Sequence, residues 1–454
     1  MSTLIFEGNT DLGRVKPMHA VNNGPVYKFT ADQRISNLQA FVDAGIPYAR
    51  NHDAAFCATY GGEHTVDVHN IFRNFDADEN DPASYDFDLT DEYIKVCEYA
   101  GVKTFYRLGS KIEHPPKKYG TLPPPDFQKW ARICEHIVAH YTEGWDNGFK
   151  YDIEYWEIWN EPDMCADDAD IVDKKTWGGT KAQFFDLFDI AAKRLKARFP
   201  HLKIGGPAVC RSTKPWCRDF LAYCRDHGTP LDFFSWHVYT STPEKVLADT
   251  RLARDILDEF GFTKTESILN EWNYVKSWVG DDWVYSLKTE KGLKGSSFIS
   301  AVMASEQYAP LDLLMYYDAR PCGMNGMFAT DFVCDKLKGY YPFLYFGDLY
   351  RLGTAVRVST DDEALYAVGA KSEDKAALMF TYYRDADEAE DKTVRIDVKD
   401  LGITGPVKAT FRVVDADSDA AVVKEEILSG GNFRLYFKMK LFTTAEVVFE
   451  RYEE

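Results

Sequence analysis

Short β-type runs alternate with helical segments along residues 16–320, and this alternation is the strongest constraint on the fold. The predicted strands, written by residue number, cover 16–20, 46–50, 102–108, 154–159, 203–206, 233–239, 267–270 and 311–316. Strands that alternate with helices form parallel sheets, because each helix returns the chain to the same end of the sheet. Eight such units in about 300 residues are typical of a TIM barrel. The sequence therefore predicts an α/β fold with a (β/α)8 barrel over residues 15–345.

Two of the predicted helices begin with a capping-box pattern. Thr30 with Gln33, and Thr180 with Gln183, place a hydroxyl three residues before an amide side chain. In this arrangement each side chain bonds to the backbone N–H of the other residue and starts a helix. Apolar residues then recur at helical spacing, and Gly45 marks the predicted end of the first helix. We therefore expect a helix after each threonine.

The pattern changes near residue 350, where β-type runs follow one another without an intervening helix. These runs cover residues 364–368, 376–383, 393–398, 407–414, 433–438 and 445–450. Polar turns separate them, and one run alternates apolar with polar side chains, as a half-buried strand does. We therefore predict an accessory all-β sandwich formed by residues 346–454 together with residues 1–14, which would add a strand at 4–6. The acidic stretch 385–391 is interpreted as a solvated loop.

Composition narrows the possible partners and the compartment. A net charge of −19 argues against nucleic acid and anionic membranes as partners, because both are bound through clustered Lys and Arg. No apolar run approaches the roughly 18 residues of a membrane span. The first ten residues lack the basic and apolar stretches of a secretory signal. Nine cysteines without a C-x-x-C pair favour structural thiols in a reducing, cytoplasmic setting.

Two glutamates follow predicted strands four and seven. Glu161 lies in the sequence YWEIWNEPD and Glu271 in the sequence SILNEWNY. In a TIM barrel, the side chains that carry out the reaction gather at the carboxyl ends of the strands, so both carboxyls would face one pocket. Paired carboxyls in such a pocket are typical of enzymes that cleave glycosidic bonds. The simpler alternative for Glu161 is a solvated turn residue ahead of Pro162.

Several segments resemble a known family. Residues 157–163, EIWNEPD, resemble the acid/base signature of clan A glycoside hydrolases, specifically of glycoside hydrolase family 39. Residues 270–273, NEWN, resemble that family's nucleophile segment, with Asn270 where the family usually has Thr. Residues 236–239, WHVY, and 203–207, KIGGP, resemble its sixth and fifth strands. The resemblance covers most of the chain, and it implies a barrel, a sandwich and a retaining mechanism.

The resemblance also implies roles for individual residues. Glu161 would be the acid/base and Glu271 the nucleophile. Asn160 would hydrogen-bond the sugar 2-hydroxyl, a bond that strengthens in the transition state. Tyr239 would hydrogen-bond the nucleophile and keep it oriented and ionised. His237 would face either the sugar or the acid/base.

Further candidates follow from position at strand ends. His52 and Asp53 end the second strand and either bind a sugar hydroxyl or belong to a turn or a helix cap. Arg107 ends the third strand and is either a pocket cation or part of an internal salt bridge. Trp159 and Trp272 flank the two glutamates, and we expect them to provide apolar walls and sugar-stacking faces.

The sequence leaves the role of one tryptophan pair open, and it contains no pattern that predicts a bound metal or cofactor. Trp278 and Trp283 follow strand seven, and sugar platforms and loop packing fit them equally well. No His, Cys and Asp cluster with metal-ligand spacing occurs, so we predict neither a metal nor a cofactor.

The predicted substrate is a plant-derived oligosaccharide with a terminal pentose. Arg107 is the main cation near the predicted site, which favours a neutral sugar of β-xyloside type over a uronic acid. The insertion at residues 51–91 does not resemble the usual xylosidase loop. An arabinose-directed glycosidase that acts on arabinoxylan or arabinogalactan side chains therefore stays open.

Two further classes of protein are weighed against the glycosidase. One is a sugar-binding barrel without activity, and it is disfavoured because both carboxylates are present. The other is a TIM-barrel enzyme that uses a metal or a phosphate, with residues 322–326, CGMNG, as a phosphate loop. The oligomeric state stays open.

Overall fold

A computed structural model describes residues 1–29, 34–53, 65–330 and 334–452. Its elements are numbered here in chain order. The ten helices within these ranges are α1 (Leu38–Ala44), α2 (Val68–Ile71), α3 (Asp88–Tyr99), α4 (Phe127–Thr142), α5 (Lys181–Arg198), α6 (Pro215–His227), α7 (Pro243–Glu259), α8 (Gly280–Glu290), α9 (Leu293–Gln307) and α10 (Tyr341–Leu352). Each of these helices is too short or too polar to cross a lipid bilayer.

Eight parallel strands close into a barrel, which confirms the predicted fold class. Strand β1 (Ser2–Glu7) belongs to a second sheet, and β3 (Tyr27–Phe29) and β4 (Arg34–Ser36) form a small hairpin. The barrel strands are β2 (Ala20–Asn22), β5 (Tyr48–Arg50), β6 (Lys103–Leu108), β7 (Tyr155–Ile158), β8 (Lys203–Val209), β9 (Phe233–Thr240), β10 (Glu266–Tyr274) and β11 (Leu313–Tyr316). Each pairs with the next, and β11 pairs with β2.

The barrel encloses an apolar layer below a polar one. Side chains alternate between the two faces of a strand, so every second residue points to the barrel axis. The lower interior is filled by an apolar cluster made of Ala20, Phe105, Tyr155, Phe233, Ile268, Leu313 and Met315. One step higher along the strands the inward side chains are polar, and this layer forms the base of the candidate site.

Local signals account for most elements, and α5 is the clearest case. Thr180 accepts from the backbone N–H of Gln183, and the Gln183 side chain accepts from the N–H of Thr180. The predicted capping box is therefore confirmed. Pro215 begins α6, where its missing N–H costs nothing. Gly228 ends that helix with a left-handed backbone, φ 62°, that favours glycine.

Two predictions near the N-terminus are wrong in their bounds. The first helix begins after Asn37, because Asn37 Oδ1 accepts from the backbone N–H of Val26 at 2.7 Å and closes the β3–β4 hairpin. Its supposed capping pair, Thr30 and Gln33, lies outside the described residues. The first barrel strand begins at Ala20 rather than at residue 16, since the preceding segment bonds to α9 and to the end of α10.

The second sheet has nine strands and folds over into the predicted sandwich. Its later strands are β12 (Thr354–Thr360), β13 (Leu365–Lys371), β14 (Lys375–Tyr382), β15 (Lys392–Lys399), β16 (Val407–Val414), β17 (Asp419–Leu428), β18 (Phe433–Met439) and β19 (Thr444–Arg451). Strand β1 pairs antiparallel with β12 and parallel with β15, so the N-terminus contributes a strand as expected. Phe411 on β16 stacks on Phe437 on β18 at 5.5 Å, although these strands lie near opposite edges of the sheet.

The sandwich packs on the barrel through α9, α10 and one acidic loop. Ser297 Oγ on α9 lies 2.8 Å from Thr381 Oγ1 on β14. Asp385 bonds to the barrel through Ser241 Oγ at 2.6 Å, Tyr274 OH at 3.0 Å and Lys294 Nζ at 2.9 Å. The acidic stretch is therefore not simply a solvated loop, because its first carboxylate is held between strand ends β9 and β10 and helix α9.

Candidate active site

Glu161 follows β7 on a backbone that is held from both sides. Trp159 N–H donates to Leu108 O at 2.6 Å, and Glu161 N–H donates to Ala208 O at 2.8 Å. Thr176 Oγ1 donates to Glu161 O at 2.7 Å. Trp159 and Glu161 both adopt left-handed φ values, 76° and 49°, which are costly for side chains with a Cβ. The turn therefore rests on neighbouring strands, and such imposed strain is typical of functional sites.

Glu271 follows a bulge in β10. The pairing of β10 with β9 shifts between Leu269 and Glu271, so Asn270 is an extra residue in the ladder. A bulge re-aims side chains, and here two consecutive residues face the barrel interior. Asn270 Nδ2 donates downward to Glu157 Oε1 at 2.5 Å, while Glu271 lies above it with the other polar groups of the site. Asn270, the departure from the family's Thr, thereby supports the floor of the site.

The two carboxyl groups come together around His237. Oxygen atoms of Glu161 and Glu271 and one ring nitrogen of His237 all lie within 4.8 Å of one another. His237 Nδ1 is 2.8 Å from Glu161 Oε1 and 3.5 Å from Glu271 Oε2. Carboxyl groups roughly 5 Å apart leave no room for a water molecule between them, which is the spacing of retaining rather than inverting glycosidases.

Both oxygens of Glu271 carry hydrogen bonds. Tyr239 OH donates to Oε2 at 2.8 Å, the contact expected of Tyr239. Arg50 Nη1 donates to Oε1 at 2.7 Å, and His52 Nε2 lies 3.9 Å from the same oxygen. Hydrogen bonds from a permanent cation and a hydroxyl stabilise a carboxylate in a fixed orientation.

Arg50 is the central residue that the sequence analysis missed. It is fully buried, and its guanidinium donates to Glu157 Oε2 at 2.6 Å, to Asn160 Oδ1 at 2.7 Å and to Glu271 at 2.7 Å. One side chain therefore joins three residues of the site. Its signal in the sequence was an arginine at an inward-facing position at the end of a predicted strand, where a charge must find partners.

Burial and charge set the proton positions of the trio Glu161, His237 and Glu271. Burial alone would raise the pKa of Glu161, but the hydrogen bond and charge of His237 outweigh it and the pKa falls. Burial would lower the pKa of His237, but the two carboxylates raise it. Burial, with Glu161 adding to it, raises the pKa of Glu271, against the opposing effects of His237, Arg50 and Tyr239. The directions of these pKa shifts favour a proton on His237, between the two carboxylates.

A second charged cluster borders the site at the end of β11. Tyr317 OH donates to Asp53 Oδ2 at 2.9 Å, and Arg320 Nη2 lies 3.2 Å from the same oxygen. Arg320 also pairs with Asp318 at 3.0 Å, and burial raises the pKa of Asp318 to about 6. Asp53 therefore lies close to the site with its carboxylate already paired. The sequence analysis did not single out Tyr317, Asp318 or Arg320.

Three predicted site residues lie away from the cleft. Arg107 is fully buried and donates to Asp67 Oδ1 at 2.6 Å and to His52 O at 2.8 Å, which is the internal salt bridge of the two alternatives. Trp159 packs edge-on against Trp177 at 5.1 Å, and its indole N–H donates to Thr176 O. Trp272 packs against Tyr316 and Phe298.

Neither Trp159 nor Trp272 offers an exposed face on which a sugar could stack, although Trp159 lines a cavity together with His69 and Tyr119. Both are almost fully buried. On β10, alternation points Trp272 outward to α9 because Glu271 points inward. Behind β7, the left-handed backbone at residue 159 turns the indole toward the loop that carries Thr176.

The segment 322–326 has amides that bond within the protein. Cys322 N–H donates to Arg320 O, and Gly326 N–H donates to Tyr316 OH. Just after the segment, Asn325 Oδ1 accepts from the N–H groups of Met327 and Phe328. These internal bonds disfavour a phosphate loop.

Arg50→Met tests the network around the guanidinium. The substitution leaves Glu157 and Glu271 buried without their cation, so the free energy of unfolding should fall by about 3–5 kcal/mol in urea denaturation. The pKa of Glu271 should rise further, which moves the acidic limb of any pH–activity profile to higher pH. Arg218→Met, which breaks a pair with Glu259 on the surface, is the control and should leave the unfolding midpoint unchanged. Equal effects of the two substitutions would contradict the network.

Comparison with known proteins agrees with this geometry. The family model described as glycosyl hydrolases family 39 matches residues 48–268, which contain Glu161 and end three residues before Glu271. Over these residues the chain matches glycoside hydrolase family 39. The resemblance to that family, first seen in four short segments, is thereby confirmed.

Two curated relatives of this chain are β-xylosidases. The chain is 29% identical over 188 residues to that of Geobacillus stearothermophilus, which is 38% of this chain and 34% of the relative. It is 27% identical over 243 residues to that of Caldicellulosiruptor saccharolyticus, which is 50% of this chain and 44% of the relative. The chain thus matches less than half the length of either relative.

Solved structures share the whole fold of this chain at low identity. A glucosidase from Croceicoccus marinus superposes with a TM-score of 0.79 at 21% identity over 100% of both chains. A family 39 enzyme from Xanthomonas axonopodis pv. citri gives 0.71 at 16% identity, over 99% of this chain and 97% of the other. A monomeric β-xylosidase from Caulobacter crescentus CB15 gives 0.69 at 16% identity, over 99% and 100%. These likenesses establish the fold of barrel and sandwich.

Proposed function

We propose that this protein is a retaining exo-glycosidase that releases a terminal pentose, of β-xyloside type, from plant-derived oligosaccharides. The observation that carries the proposal is the carboxyl pair, with oxygens of Glu161 and Glu271 within 4.8 Å of one another at the ends of β7 and β10. The two β-xylosidase relatives support the choice of sugar.

In the first step Glu271 attacks the anomeric carbon while Glu161 gives a proton to the departing oxygen. The sugar becomes bonded to Glu271, and the rest of the substrate leaves as an alcohol. Arg50 and Tyr239 hold the attacking carboxylate in place and favour its charged form before the attack. Asn160, whose Oδ1 is occupied by Arg50, keeps its NH₂ group as a donor to the sugar 2-hydroxyl.

The proton for the first step begins on His237. His237 Nδ1 and Glu161 Oε1 lie 2.8 Å apart, and the directions of their pKa shifts favour a charged pair. A bound sugar expels water, and a neutral pair is favoured over a charged pair in a drier site. The proton then moves from Nδ1 of His237 to the Glu161 carboxylate, which becomes the neutral acid.

In the second step water replaces the departed group. Glu161, now a carboxylate, removes a proton from the water, and the resulting attack on the anomeric carbon breaks the bond to Glu271. Two inversions at the same carbon give net retention of configuration. The enzyme returns to its first state, with a proton again shared by Glu161 and His237.

The charges around the pair support a neutral sugar over a uronic acid. Among the residues that the structure describes, the arginines beside the pair are Arg50 and Arg320, and each already binds two carboxylates. A substrate carboxylate would have to compete for those cations and would lie near several negative charges. A neutral pentose avoids this cost.

A panel of aryl glycosides tests the proposal. It contains the β-xyloside, the α-L-arabinofuranoside, the α-L-arabinopyranoside, the β-galactoside and the β-glucoside. We expect the β-xyloside to be hydrolysed with a kcat/KM at least about tenfold above the others, which corresponds to about 1.4 kcal/mol of discrimination. Preferred hydrolysis of an arabinoside would replace xylose by arabinose. No hydrolysis of any member, with measurable binding of xylo-oligosaccharides, would mean a sugar-binding barrel.

A further inference from the structure

Two tryptophans form a partly exposed pair on the loop and helix that follow β10. The rings of Trp278 and Trp283 stack with centroids 5.2 Å apart and an angle of 29° between their planes. Trp278 retains 48% of its surface exposed, unlike Trp159 and Trp272, which are nearly fully buried. One large apolar surface therefore faces solvent beside the polar site.

The pair is connected directly to the predicted nucleophile. Trp278 meets the ring of Tyr239 edge-on at 5.0 Å, with an angle of 74° between the planes. The hydroxyl of that tyrosine donates to Glu271 Oε2. The indole thus contacts the same phenol ring whose hydroxyl binds Glu271.

The sandwich anchors the helix that carries the pair. On α8, Tyr285 OH bonds to Asp387 of the acidic loop, and Lys294 of α9 lies 2.9 Å from Tyr285 OH. Lys294 also pairs with Asp385 at 2.9 Å, and Asp385 accepts from Tyr274 at the end of β10. Both ends of the Trp278 loop are therefore fixed to a second domain, so its aromatic face is held in position before any ligand binds.

We propose that Trp278, backed by Trp283, is the platform for the sugar ring next to the one that is cleaved. The axial C–H groups of a pyranose carry small positive charges and pack on the negative face of an indole. A ring over the carboxyl pair and a ring over Trp278 would be successive units of one oligosaccharide. This inference rests on the proposed function, because it takes the ring at Glu161 and Glu271 as the one released.

Two substrates separate the platform from the reaction itself. Xylobiose has a second ring, whereas β-xylosyl fluoride leaves only fluoride and has none. For Trp278→Ala we expect KM for xylobiose to rise roughly tenfold, the scale of one lost aromatic contact, and KM for the fluoride to stay within about twofold. Trp278→Phe, which keeps a π face, should recover most of the loss for xylobiose.

A matched control variant and the KM values of the two substrates decide whether Trp278 is a sugar platform. Tyr436 is also 48% exposed and lies on β18 of the sandwich, so Tyr436→Ala should change neither substrate. Unchanged KM values in Trp278→Ala, or equal changes for both substrates, would overturn the platform while leaving the glycosidase intact. If the wild type hydrolyses neither substrate, the proposed function fails and the platform falls with it.

Discussion

Replacement of Glu271 by glycine should lower kcat/KM on an aryl glycoside by at least about 10⁴-fold, the scale of losing a group that forms the covalent intermediate. The substitution removes the attacking carboxylate and leaves a space next to Arg50, Tyr239 and His52. Azide is a small anion that fits such a space, and the cation that held Glu271 would hold it. Added azide should therefore restore turnover and yield a glycosyl azide of inverted configuration, because only one displacement then occurs.

The product's configuration is the decisive measurement for Glu271. Its control is Glu266→Gln, which changes the same residue type at the opposite end of the same strand, where Glu266 pairs with Lys203. The lower end of a TIM barrel serves stability, so activity should be unchanged there. A loss of only about tenfold in Glu271→Gly, or a rescued product of retained configuration, would mean that Glu271 is not the nucleophile.

Replacement of Glu161 by alanine should affect substrates according to how much help their leaving group needs. An alcohol leaving group requires a proton, and loss of general acid catalysis costs about 10²–10⁴-fold. A dinitrophenolate leaves without protonation, so the first step should be almost unaffected and the covalent intermediate should accumulate. Azide should react with that intermediate and yield a glycosyl azide of retained configuration, since Glu271 still makes the first displacement.

The pH dependence of activity also tests the role of Glu161. Activity of the wild type should fall as pH rises through the raised pKa of His237, because the proton shared with Glu161 is then lost. On a substrate with an alcohol leaving group, the residual activity of Glu161→Ala should lack this basic limb. Glu154→Gln, at the lower end of β7, is the control and should keep it. A uniform loss of rate on every substrate, with the basic limb intact, would contradict the role of Glu161.

Arg50 explains how these two carboxyls can lie so close together. Two carboxylates at this spacing repel each other, and burial adds to the cost. Arg50 supplies a permanent cation to Glu271, and His237 supplies a titratable one to Glu161. In the proposed reaction, this arrangement keeps a fixed charge at the attacking group and a movable proton at the group that must give one up.

The order of strands and helices, and the two strand-end glutamates, followed from the sequence alone. Alternating patterns, the capping box at Thr180 and the positions of Glu161 and Glu271 all depend on neighbours within a few residues, so a sequence reveals them. The turn residues before Glu161 matched a family segment for the same reason. These local features also sufficed to predict the closed barrel and the all-β sandwich.

The tertiary structure decided which side chains meet. Arg50 reaches Glu157, Asn160 and Glu271 from a different strand, and no local pattern encodes contacts between residues over 100 positions apart. The same holds for Trp159 and Trp272, which lie next to polar residues in sequence but face away from the cleft because of strand alternation and a left-handed turn. Burial and charge pairing depend on what surrounds a residue in space, and only the folded chain brings those neighbours together.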